Sequence, residues 1–108
     1  MKRVCFFLVF CFQPFLFGQS IPKDFNALWK VKDYKSLVEK LEQFTALYPN
    51  HLEAIEQLGD AYGRISEWDR ASECYEKLIR VKPDEANYHY KYGGVLGKMA
   101  KESSKFKA

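Results

Sequence analysis

With 108 residues, 17 Lys and Arg against 14 Asp and Glu, 47% hydrophobic and 29% charged side chains, the chain has room for one small domain and excludes a large multidomain enzyme. That hydrophobic share argues against wholesale disorder, and six Gly with four Pro argue against collagen-like or low-complexity sequence. A packed helical or mixed domain remains.

At the N-terminus, Lys2 and Arg3 precede an apolar run from Val4 to Phe17 that holds six of the nine Phe and two of the three Cys, followed by Gly18-Gln19-Ser20. A basic start, a short apolar middle and a small or polar end are the layout of a secretory signal peptide, and the run falls short of the roughly 20 apolar residues that span a bilayer. Residues 1–20 are therefore expected to be a signal peptide, cleaved after Gly18 or after Ser20, with the protein periplasmic or extracellular; an uncleaved N-terminal anchor is the alternative. Beyond them stand 15 Lys and Arg against 14 acids, so charge predicts no nucleic-acid partner. The distribution is uneven: residues 33–90 carry seven basic and twelve acidic side chains, while 91–108 carry five Lys and only Glu102. Cys74 is then the sole cysteine, which leaves no partner for an intrachain disulfide or a multi-cysteine zinc site, and it reads as a small hydrophobe.

Sliding the chain against itself by 34 residues aligns Tyr34 with Trp68, Leu41 with Tyr75, Phe44 with Leu78, Pro49 with Pro83, Gly59 with Gly93 and Gly63 with Gly97. Each segment between these marks carries a helical stripe. In chain order, 21–50 form an atypical first repeat, because Asp24 and Phe25 stand where the next repeat has Leu58-Gly59. Its second helix is drawn by Tyr34, Leu37, Val38, Leu41, Phe44 and Tyr48. Residues 52–85 form a complete repeat, with Ile55, Leu58, Tyr62 and Ile65 facing Trp68, Ala71, Tyr75, Leu78 and Val81. Residues 86–101 form the first helix of an incomplete third, along Tyr88, Tyr92, Val95, Leu96 and Met99, and 102–108 read as a basic, disordered tail. Asn50 with Glu53 and Ser66 with Asp69 are expected to cap the helices, and Pro49 and Pro83 to stop the ones before. Gly59 with Gly63, and Gly93 with Gly97, are expected to admit a neighbouring backbone at about 1 kcal/mol each relative to Ala.

Ile55-x2-Leu58-Gly59-x2-Tyr62, then Ala71-x3-Tyr75, then Pro83 resembles the tetratricopeptide repeat (TPR) family, with Ile55 and Tyr75 where that family usually has Trp and Phe. Ala86 to Gly97, with Tyr92-Gly93, is similar, less specifically, to the repeat domain of regulator-of-microtubule-dynamics proteins and their bacterial relatives. The resemblance implies an all-α, right-handed stack of antiparallel helical hairpins, about two and a half repeats long. It also implies a non-catalytic module that binds a peptide or protein segment in a concave groove.

By that resemblance the groove carries Glu53, Glu56, Asp60 and Arg64 from the complete repeat and Asn87, Tyr90, Lys91 and Lys98 from the next helix. The three acids lie at i, i+3 and i+7, a stripe that favours a basic or amide-rich ligand unless it is merely solvating, and Tyr90 is the expected anchor. No cofactor or metal is expected, and no catalysis, since the chain lacks HExxH, GxSxG and a Gly-rich phosphate loop. His51 is expected to be solvated at a turn and His89 to be a hydrogen-bonded packing residue. The stripe Tyr88, Tyr92, Val95, Leu96 and Met99 has no second helix after it. The expected alternatives are a truncated product of a longer protein, self-association through this face, or a structural subunit whose missing helix comes from another protein.

Overall fold

The computed structural model describes residues 19–107, so residues 1–18, nearly all of the expected signal segment, lie outside it. The described residues form five helices and no strand: α1 Asp24–Val31, α2 Tyr34–Leu47, α3 Leu52–Arg64, α4 Trp68–Val81 and α5 Ala86–Lys107. Short links join them, and each helix packs on the next. No described helix is long and apolar enough to cross a membrane.

The 34-residue period of the sequence is also a period of the backbone. α2 and α4 begin and end 34 residues apart, as do the starts of α3 and α5. Lys32 and Ser66 are both left-handed, each at φ 61°, and close the same turn. The Asp33 N–H reaches the Leu28 carbonyl at 3.0 Å and the Glu67 N–H the Tyr62 carbonyl at 2.9 Å, while Lys32 and Ser66 donate to Trp29 and Gly63. This pairing satisfies the last carbonyls of α1 and α3 without a glycine. At the other type of link, Tyr48 and Lys82 donate to Phe44 and Leu78 at 2.9 and 2.8 Å, just ahead of Pro49 and Pro83.

These turns move the caps by one residue from where the sequence suggested. Ser66 occupies the left-handed position, so Glu67 stands at the N-cap of α4 and makes no side-chain cap bond. Asn50 lies in the preceding turn, and His51 caps α3 instead, its Nδ1 accepting the Ala54 N–H at 3.1 Å. With Nδ1 an acceptor, Nε2 carries the proton and donates to the Gln19 carbonyl, so His51 is half-buried and not a solvated turn residue. His89 is exposed, its Nε2 2.7 Å from the Pro83 carbonyl, so it takes the hydrogen bond but not the packing role. The tail is corrected too: residues 102–107 continue α5, and Glu102 accepts from Trp68 Nε1 at 3.2 Å.

One apolar seam runs through the helices. Phe25 on α1, Leu37, Val38, Leu41 and Phe44 on α2, Ala54, Ile55, Leu58, Ala61 and Tyr62 on α3, Ala71, Tyr75 and Leu78 on α4, and Tyr88 and Val95 on α5 are all buried. Val81, placed on the seam by its spacing, is 55% exposed at the end of α4. The last helix is not bare, since Tyr88 and Val95 are covered and Tyr92 and Met99 are half-covered; of that stripe only Leu96 is exposed.

The glycines differ. A Cβ at Gly59 would stand 2.8 Å from Tyr75 Cε1 and 3.1 Å from Cys74 Cβ, so it is a side-chain ring, not a backbone, that takes the space. At Gly93, Gly94 and Gly97 a Cβ would meet nothing within 4 Å, because no described element lies beside them. The same substitution should therefore have opposite signs. Gly59→Ala should destabilise by roughly 1–3 kcal/mol through overpacking, whereas Gly94→Ala should stabilise by roughly 0.5–1 kcal/mol through helix propensity. Urea denaturation of the two variants checks both.

Candidate functional site

The buried face of α3 ends in two carboxylates, Glu56 and Asp60, one turn apart and directed toward α5. Lys91 on α5 lies between them, its Nζ 2.8 Å from Glu56 Oε2 and 2.9 Å from Asp60 Oδ2. Asn87 Nδ2 donates to Glu56 at 2.9 Å, and the Tyr75 hydroxyl donates to Asp60 Oδ1. Three helices are thus fastened by one polar cluster, with side chains only 23–31% exposed. Burial alone would lower the Lys91 pKa, but the hydrogen bonds from Glu56 and Asp60 outweigh it and hold the ammonium above its ordinary 10.5. Burial, then the bond to Asp60, raises the Tyr75 phenol, which stays a donor.

Above this cluster a groove of about 490 Å³ opens among α1, α3, α4 and α5, walled by the rings of Trp29 and Trp68 and by Gly63 and Gly94. Arg64 and Lys98 stand on its rim, the first over the Tyr34 ring at 5.6 Å and the second over the Trp68 ring at 6.0 Å. Neither has an ion-pair partner among the described residues. Trp29 is fixed from behind, its Nε1 donating to Gln57 Oε1 at 3.1 Å.

Of the residues expected in the groove, the structure brings together Asp60, Arg64, Lys91 and Lys98, with Glu56 and Asn87 supporting Lys91. Glu53 is exposed and outside the cluster, and Tyr90 is 81% exposed and absent from the groove lining. The acidic stripe therefore does not face a ligand as a stripe: two of its three members are engaged within the chain. Trp29, Trp68, Gly63 and Gly94 were not expected in the lining. The sequence signal for them was the alignment of Trp29 with Gly63 at the 34-residue offset, which sets a large and a small residue at equivalent points of successive hairpins.

The other hollow, about 570 Å³ between α2, α3 and α4, includes Tyr62, Arg70 and Cys74. There the Tyr62 hydroxyl donates to Glu42, and burial first, then this bond, pushes its pKa up to about 12. Burial likewise pushes the Cys74 thiol up to about 12, which leaves little thiolate at neutral pH.

Comparison with models of known families and with curated proteins finds no match to this chain.

Removing the cation from the cluster should unbalance Glu56 and Asp60. Lys91→Met is expected to lose roughly 1–2 kcal/mol at pH 7, with Lys91→Arg recovering part of it. The sign with pH follows from the raised Lys91 pKa. The stabilisation is complete below the ordinary value of 10.5 and is lost as pH rises through the folded value, so the gap between wild type and Lys91→Met should narrow in strongly alkaline solution. Chemical denaturation across pH 7–11 measures it.

Proposed function

We propose that this protein is a non-catalytic, TPR-type protein-interaction module whose helical hairpins stack right-handedly and hold a protein or peptide segment in the groove between the two tryptophans. The backbone period of 34 residues, the seam of Leu58, Tyr62, Ala71 and Tyr75, and Gly59 seated under Tyr75 support the TPR-type reading. The residues of the lining are hydrogen-bonding, aromatic and cationic. With the cysteine held as a thiol, no nucleophile and base stand side by side in the groove, and presentation of a surface is the activity that this inventory serves. The basic start and apolar run of residues 2–17 support export through a signal peptide.

One observation decides the chemistry of the occupant. Because Lys91 and Asn87 answer Glu56 and Asp60 inside the chain, the charges left for a ligand are Arg64 and Lys98. The groove therefore suits a segment with acidic side chains and an apolar or aromatic residue for the tryptophan walls, in place of the basic ligand that the stripe of acids suggested.

Both tryptophans of the chain line this groove, so intrinsic fluorescence reports its occupancy directly. Titration with a tryptophan-free acidic peptide of alternating Glu and Leu should shift the emission saturably, and a Lys and Leu peptide of the same length should not. Arg64→Glu combined with Lys98→Glu should weaken the acidic peptide about tenfold or more, and added salt should act in the same direction. Equal response to both peptides would remove the charge assignment, and no response to either would remove the groove.

A further inference from the structure

The groove uses one side of α5, and the seam uses another. A third side is left, and it bears the most exposed large apolar group of the described chain, Tyr90 at 81%, together with Leu96 at 42%. Tyr90, Gly93 and Gly97 are spaced by three and four residues, so they lie along one strip of the helix, continued by the exposed Ala100. Elsewhere in the molecule such a glycine is not left open. Gly59, the equivalent of Gly93 one repeat earlier, is covered by the ring of Tyr75. An aromatic ring is thus what this backbone position accommodates when a helix lies beside it.

We propose that this face pairs with its own counterpart, two copies of the chain meeting through antiparallel α5 helices. Tyr90 and Gly97 lie two turns apart on the same strip. A two-fold axis passing beside Gly93 and Gly94 sets each Tyr90 ring over the second copy's Gly97, where nothing lies within 4 Å to obstruct it. The same axis brings Lys101, in the basic half of α5, to the level of the exposed pair Asp84 and Glu85 at the other copy's helix start. Opposite charges then meet at both ends, and the two helix dipoles run in opposite directions. A parallel arrangement would set lysine against lysine. The pairing rests on observations separate from those of the groove, and leaves Arg64, Lys98 and the tryptophan walls free.

Sedimentation equilibrium of the full chain at micromolar concentration tests this. The expected result is a reversible dimer, weakened by salt. Tyr90→Ala and Gly97→Leu should each raise the dissociation constant about tenfold or more, with helicity by circular dichroism unchanged because both positions are open in the single chain. Lys101→Glu should weaken the dimer and Lys101→Glu with Glu85→Lys should restore it. A monomer at every concentration overturns the proposal. So does a dimer indifferent to Tyr90→Ala, Gly97→Leu and the charge exchange, since it would have to form through some other surface, the first eighteen residues included.

Discussion

The ring of Tyr75 lying on Gly59 is the contact on which the rest of the arrangement depends. It brings α4 close to α3 at a point where any side chain on α3 would interfere. It also carries the hydroxyl to Asp60, on the far side of the seam. One residue therefore closes the apolar interior and opens the polar cluster. Because Asp60 is held by Tyr75 and Lys91 together, the position of α5 is coupled to the α3–α4 hairpin by directional bonds as well as by the burial of Tyr88 and Val95. Apolar burial supplies the larger share of cohesion, and the hydrogen bonds fix register.

The polar cluster also shapes what the groove can do. A carboxylate pair open to solvent would attract cations from any source. Neutralised from within, the pair becomes the floor of a site whose free charges are positive, and whose walls are aromatic. Affinity and stability are thereby linked through Lys91: a ligand that drew its ammonium away from Glu56 and Asp60 would have to replace those bonds. Ligands that leave it in place and engage Arg64 and Lys98 face no such requirement.

Much of the fold was legible because periodicity is a property of spacing alone. The 34-residue offset, the stripes of α2, α3 and α4, and the short first helix all follow from which positions are apolar, and the model has them at those positions. What escaped were features set by conformation or by reach across elements. A left-handed Ser66 looks like an N-cap in sequence, since serine suits both, and the turn decided between them. The continuation of α5 past Met99 had no apolar stripe to announce it. Glu56 and Asp60 looked like a ligand-facing stripe because nothing in their own helix shows that Lys91, more than thirty residues on, stands opposite. Likewise Gly93 matched Gly59 in register but not in surroundings, since a glycine's role is defined by what approaches it.

If α3 and α4 form the centre to which the other helices are joined, native-state hydrogen exchange followed residue by residue measures it most directly. The account predicts that the amides around Leu58–Tyr62 and Tyr75–Leu78 exchange only with global unfolding. Those of α1 and of α5 beyond Met99 should open at markedly lower free energy. Protection highest in α1 or in the C-terminal half of α5, with the Gly59–Tyr75 region exchanging first, would contradict it.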